Sequence, residues 1–83
     1  MTKDDIFARI VEILNQTFDI EPSRITRDSR LGEDLDIDSI DAVDLIIKLK
    51  EITGRRVQPE AFKQVRTVGD VVNVVYGLTQ AAA

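Results

Sequence analysis

Ser39 stands in the run Asp34-Leu35-Asp36-Ile37-Asp38-Ser39-Ile40-Asp41-Ala42-Val43-Asp44, among five aspartates and no basic residue. Such a run can be asked for three chemistries. In a calcium loop Asp34, Asp36 and Asp38 would be the first, third and fifth ligands. Ser39 then stands where the loop needs glycine and Leu45 where it needs glutamate, and no helical pattern ends just before Asp34. No metal site is expected. A serine nucleophile would need a base and an oxyanion hole. The chain has no histidine, Ser39 is not in a Gly-x-Ser-x-Gly turn, and Lys48 and Lys50 lie two or more helical turns away. The surrounding carboxylates would also oppose a developing oxyanion. Intrinsic catalysis is therefore excluded, and the chain is not expected to be an enzyme. The third chemistry makes Ser39 a handle that another enzyme modifies. A modified serine needs no base of its own, and neighbouring acids can steer and orient a basic visitor.

The elements that would position this serine are helical. Ile6, Phe7, Ile10, Val11, Leu14 and Phe18 recur at spacings of three and four, which predicts an amphipathic helix from Lys3 to about Phe18. Thr2 is its expected N-cap, with Asp4 and Asp5 in the first turn. From Asp19 to Ile37 the pattern lapses into a long loop holding Pro22 and Gly32, which Ile20, Ile25, Leu31 and Leu35 are expected to pin to the core. A second helix is expected from about Ser39 to Thr53, stopping at Gly54, with Asp38 or Ser39 as its cap and Asp38–Asp41 at capping-box spacing. Ile40, Val43, Leu45, Ile46, Ile47, Leu49 and Ile52 exceed one narrow stripe, so this helix is expected to touch neighbours on several sides. Pro59 opens a short helical turn to about Gln64. Thr67 and Asp70 then begin a last helix whose apolar stripe is Val68, Val71, Val72, Val75 and Leu78, followed by a frayed tail over residues 79–83. The fold class is all-α: a small bundle of three main helices and one short one, a single domain over residues 1–83.

Composition narrows the function further. With 83 residues the chain can bury a modest core but not a deep walled active site. It has no cysteine, so disulfides and thiol chemistry of its own are excluded. The start, MTKDDIFARI, carries early acids and is not expected to be a secretory signal, and no apolar run approaches the roughly 18 residues of a membrane span. The expected location is cytoplasmic. The formal charge of −4 is local: Glu33 to Asp44 holds six acids and no base, leaving eleven bases against nine acids elsewhere. That patch argues against nucleic acid and anionic membrane and for basic protein surfaces.

The segment Leu31-Gly32-Glu33-Asp34-Leu35-Asp36-Ile37-Asp38-Ser39-Ile40-Asp41, followed by an amphipathic helix ending at Gly54, resembles that of the acyl carrier proteins. The resemblance extends over essentially the whole chain, through the long first loop, the short third helix and the Thr67-Val68-Gly69-Asp70-Val71 start of the last helix. Its central signature is Asp-Ser followed by an apolar residue, here Asp38-Ser39-Ile40. The resemblance implies that Ser39 carries a 4′-phosphopantetheine arm, transferred from coenzyme A by a phosphopantetheinyl transferase. The arm's thiol would hold acyl groups as thioesters and so supply the sulfur that the chain lacks. It implies that Asp38 positions the transferase or its metal-bound coenzyme A. Asp36, Asp41, Asp44 and Glu51 would meet basic residues of acyl-loading, condensing and acyl-transferring enzymes, with Ile40 and Ile47 as the apolar part of that face. Val43, Ile46, Ile47, Ile52, Phe62, Val65 and Val72 would line a space for an acyl chain. The protein would act as a monomer, delivering cargo in fatty-acid, polyketide-like or specialised lipid biosynthesis.

Departures from common fatty-acid carriers point to a specialised pathway. Asp36 stands where those usually have glycine, Ile37 where alanine is frequent, Lys50 at a position that is often acidic, and Arg55 to Lys63 is a basic segment where acids are common. Plainer alternatives stay open: Ser39 as an N-cap only, Ile40 and Ile47 as core, the acyl-lining residues as simple packing, Asp41 and Asp44 as a solvated face. At the level of function the alternatives are a carrier of amino or hydroxy acids loaded by an adenylating enzyme, and an unmodified acidic module that binds a basic protein.

Overall fold

The computed structural model describes residues 2–54, 57 and 59–81. Its order is α1 (Lys3–Phe18), a 3₁₀ turn (Pro22–Arg24), α2 (Ser39–Thr53), a second 3₁₀ turn (Pro59–Phe62) and α3 (Val68–Ala81). The all-α bundle of three main helices is as expected. Arg55, Arg56 and Gln58 of the basic segment and Ala82 and Ala83 of the tail lie outside the described residues.

The first helix forms as its spacing predicts. Ile6, Ile10 and Leu14, four apart, are fully buried. Thr2 and Asp5 make a reciprocal capping box: the Asp5 amide donates to Thr2 Oγ1 at 3.1 Å and the Thr2 amide to Asp5 Oδ2 at 3.2 Å. Those bonds, the amide of Thr2 first, hold the Asp5 carboxyl below the usual range. The helix ends at Asp19, in the left-handed region at φ 57°, whose amide donates to the Asn15 carbonyl at 3.0 Å.

The long loop is ordered from within and stitched to α3. Ile20, Ile25, Leu31 and Leu35 are buried as expected, and Ile37 joins them. Buried Ser29 accepts from the Thr26 amide at 2.9 Å and donates to the Arg24 carbonyl at 3.2 Å, tying one turn. The first amides of a helix have no partner inside it. In α3 the loop supplies those partners: Val68 N donates to Ser29 O at 3.0 Å and Gly69 N to Arg27 O at 2.8 Å, while Leu31 N donates to Arg66 O at 2.9 Å. Arg27 is itself fixed by Asp4 and lies over the Phe7 ring at 5.5 Å, so loop, α1 and α3 meet at one residue.

In α3 Val68, Val71, Val72 and Val75 are buried and Leu78 is half-buried, so helical spacing overrides the strand preference of valine. Thr67 and Asp70 complete a capping box, each backbone amide donating to the other's side chain at 3.2 Å. The helix continues to Ala81, past Thr79 where fraying was expected, with Thr79 Oγ1 donating to the Tyr76 carbonyl at 2.8 Å. The short third helix is a 3₁₀ turn rather than a run to Gln64, closed by Lys63 N to Glu60 O and Val65 N to Phe62 O.

The second helix differs from expectation in one respect. Leu45 and Leu49 are fully buried, and Ala42, Ile46 and Ile52 pack half-buried against the core. Ile40, Val43 and Ile47, however, are 78%, 54% and 61% exposed. The surplus apolar residues form a second stripe that faces away from the bundle instead of meeting further neighbours.

Candidate functional site

The choice of cap decides what Ser39 is free to do. Asp38 has extended backbone (φ −84°, ψ −174°), and its Oδ1 accepts from the Asp41 amide at 2.9 Å. It is the N-cap, and only the forward half of a capping box forms. Ser39 is therefore the first helical residue, exposed, with no hydrogen bond to its hydroxyl among the described residues. The bland use of a serine at a helix start is already filled by its neighbour.

The approach to Asp38 is a tight knot. Asp34 Oδ2 accepts from the Arg30 amide at 2.8 Å, the Asp34 amide returns to Arg30 O at 2.9 Å, and Ile37 N donates to Leu31 O at 2.8 Å. Leu35 and Ile37 go inward, while exposed Asp36 between them takes φ 56°. This left-handed position disfavours side chains with a Cβ, and Asp is among the residues that tolerate it. Among the described residues no group of three or more acids is placed to hold a metal ion.

Beside Ser39 opens a cleft of about 750 Å³. It is lined by the N-cap Asp38 with Ser39 and Ala42 of α2, by Leu31 and Ile37 of the loop, and by Phe62 and Val65, with Arg30, Glu33, Arg66 and Asp70 among the polar lining residues. Of the residues expected to line an acyl space, Phe62 and Val65 border this cleft. Ile46 and Ile52 pack half-buried against the core and Val72 is buried within it. Val43 and Ile47 lie on the outer face, so the closed bundle does not put them inside. Leu31, Ile37 and Ala42 were missed. The alternation Leu35-Asp36-Ile37 was the available signal that Ile37 turns in.

The outer face is a second feature. Ile40, Val43, Asp44, Ile47 and Glu51 follow i, i+3, i+4, i+7 and i+11 and share one side of α2. Asp44 and Glu51 are exposed, and half-buried Asp41 flanks them. Ile40, Val43 and Ile47 are exposed rather than part of the core.

Comparison with known proteins agrees with this geometry. Residues 8–75 match the family model described as the phosphopantetheine attachment site. The chain belongs to the acyl carrier protein family. It is 56% identical to acyl carrier protein 2 of Ralstonia nicotianae over 98% of this chain and the whole of that one. It is 36% identical to the meromycolate extension acyl carrier protein of Mycobacterium leprae, covering 96% of this chain and 70% of that one. Its fold superposes on the acyl carrier protein of Thermotoga maritima with a TM-score of 0.85 at 22% identity, covering 98% and 94% of the two chains. For the carrier from Enterococcus faecalis the TM-score is 0.74 at 26% identity, covering 93% and 98%. The protein is a non-catalytic carrier whose cofactor is phosphopantetheine, and carriers of this family serve biosynthetic enzymes. Among the described residues no helix is long and apolar enough to cross a membrane.

Proposed function

We propose that Ser39 is the attachment residue and that this carrier delivers acyl thioesters between enzymes. The observation that carries the reading is the division of labour at the start of α2: Asp38 caps the helix, and adjacent Ser39 is exposed, lines a cleft and has no hydrogen bond to its hydroxyl among the described residues. The residues fit the group. A phosphodiester on Ser39 would meet the positive end of α2, where anions are favoured. The bound arm supplies a terminal thiol for thioester chemistry. The chain's own residues do the rest: Ser39 anchors, Asp38 holds the helix start rigid and offers its carboxylate to an incoming transferase, and the face of Ile40, Asp44, Ile47 and Glu51 docks, with Asp36 and Asp41 beside it. Since no histidine or cysteine is present to activate Ser39, activation has to come from the phosphopantetheinyl transferase.

Partners follow from the charge. Exposed acids around an apolar stripe suit enzymes with basic docking surfaces, and salt weakens such contacts. The carrier works in the cytoplasm as a monomer. Exposed Lys50 and Lys63, where general fatty-acid carriers tend to be acidic, support a dedicated fatty-acid, polyketide-like or modified-lipid pathway. Extension of the acylated protein by general elongation enzymes as fast as their own carrier is extended would overturn that part.

The test of the central reading is intact mass after incubation with coenzyme A, magnesium and a broad-specificity phosphopantetheinyl transferase. The parent gains one phosphopantetheine and Ser39→Ala gains none. A folded parent that gains nothing with several transferases would favour a plain interaction module.

A further inference from the structure

Ser39 lies among acids, and the arm proposed for it adds another negative charge. A cation near the cleft would offset that repulsion. Among the described residues, five charged ones line the cleft: Arg30, Glu33, Asp38, Arg66 and Asp70. Four are already committed. Arg30 Nη1 donates to Glu33 Oε2 at 2.6 Å, which accounts for both and raises the Arg30 pKa. Asp38 accepts from the Asp41 amide. Asp70 Oδ2 accepts from the amides of Arg66 at 3.1 Å and Thr67 at 3.2 Å. Arg66, which lines the same cleft as Ser39, makes no side-chain hydrogen bond or close ion pair among the described residues, and its charge acts on Asp70 only at longer range.

We propose that Arg66 is the counter-ion of the phosphodiester on Ser39 and thereby a positioning residue for the arm. The inference rests on the attachment of that arm at Ser39. A guanidinium presents a rigid fork of donors that matches phosphate geometry. The backbone on which it stands is fixed: Leu31 N donates to the Arg66 carbonyl at 2.9 Å, and the Arg66 amide donates to Asp70. The stitching of the first loop to the start of α3 thus holds, at the cleft, a cation that no close ion pair occupies among the described residues. The phosphodiester, rather than a cargo carboxylate, is its partner because the phosphate's distance from Ser39 is set by one covalent bond, whatever acyl group is carried. With the phosphate held, the arm starts at the cleft instead of sweeping the solvent freely.

The experiment compares apo and holo forms by NMR after intact mass has established loading. In the parent, conversion to holo shifts the Arg66 Nε–H resonance and leaves that of Arg30 in place. The ³¹P resonance of the holo form shifts on Arg66→Gln toward the position of free phosphopantetheine diesters, and the pantetheine amides become more mobile. Arg66→Lys, which keeps charge without the fork, restores part of the shift, and Arg30→Gln leaves it unchanged. A holo protein whose ³¹P resonance and Arg66 Nε–H are both indifferent to the other group overturns the proposal, as does a response at Arg30 alone. A parent that takes no arm, or takes it elsewhere than Ser39, overturns the attachment reading, and the inference with it. The parent's own Arg66 signal answers the question even where a variant fails to fold.

Discussion

Along α3, Val68, Val71, Val72 and Val75 turn inward and keep at most 1% of their surface in solvent; along α2, Ile40, Val43 and Ile47 follow equally helical spacing and keep 54% to 78%. Both helices are apolar enough to seek burial. The difference is that α3 has one apolar stripe and α2 has two. Leu45 and Leu49 already join α2 to the core, so its second stripe is surplus to folding. Burying a large aliphatic side chain contributes about 1.5–3 kcal/mol. A small domain that leaves three such groups in water forgoes stabilisation it could use. Under the proposed function that surface is reserved for partners, and the acids beside it select which partners approach.

The largest expected effect tests the inward half of this contrast. Leu49→Ala removes a fully buried side chain from α2 and leaves a cavity, at a cost of about 2–5 kcal/mol. For a domain this small, with roughly 5–15 kcal/mol in total, that is a large share. Urea denaturation should show a strongly lowered midpoint. A loss under about 1 kcal/mol would mean that Leu49 is not core, and the two-stripe description of α2 would fail.

A second contrast lies within α3, between two glycines. A Cβ on Gly69 would meet the Arg27 carbonyl oxygen at 3.0 Å, the same oxygen that accepts the Gly69 amide at 2.8 Å. Gly69→Ala must push the loop from the helix start and is expected to cost about 1–3 kcal/mol. A Cβ on exposed Gly77 meets nothing within 4 Å. Gly77→Ala should stabilise by about 0.5–1 kcal/mol, because alanine is the better helix former. Equal effects of the two in thermal unfolding would contradict the stitching of loop to helix.

Much of the bundle was legible because its signals are local. Thr2 with Asp5 and Thr67 with Asp70 name their own helix starts, and Gly54 at φ 68° names an end. The family was legible through the signature around Ser39. What the chain could not reveal depends on distant residues meeting. Whether Asp38 or Ser39 caps α2 is set by backbone geometry at Asp38, since both side chains can do it. Which of two apolar stripes faces inward is decided by where α1 and α3 lie. Arg66 reads as an ordinary surface cation until the Arg30–Thr67 bridge brings the loop and the start of α3 together beside Ser39. Asp36 looked like a departure from family habit, and its φ of 56° is a conformation that glycine adopts more readily. Asp36→Gly should therefore stabilise, by about 1 kcal/mol, in the same unfolding assay.

A smaller effect comes from the caps of α1 and α3. Backbone amides hold the carboxyl of Asp70, from Arg66 first and then Thr67, and that of Asp5, from Thr2, below the usual range. A lowered carboxylate pKa contributes stability that is complete above about pH 4 and lost as the pH falls through the folded-state values. Unfolding between pH 6 and 3 should show that loss, and Asp70→Asn should flatten it. An unchanged slope would remove the Asp70 cap from the account.

The smallest stability effect is the sharpest test of the outward stripe. Ile47 is 61% exposed, so Ile47→Ala should change stability by no more than about 0.5 kcal/mol. If the stripe docks partners, the same substitution weakens their binding, with salt sensitivity unchanged because the neighbouring acids remain. Asp44→Asn on the same face should do the reverse, reducing the salt dependence of docking while leaving the apolar contact in place. Surface plasmon resonance against a cognate transferase, at two ionic strengths, separates the two. A pair of variants that bind like the parent would return the stripe to bare surface. A pair that fails in these two different ways divides the face into an apolar anchor and a charged guide, as its residues are arranged along α2.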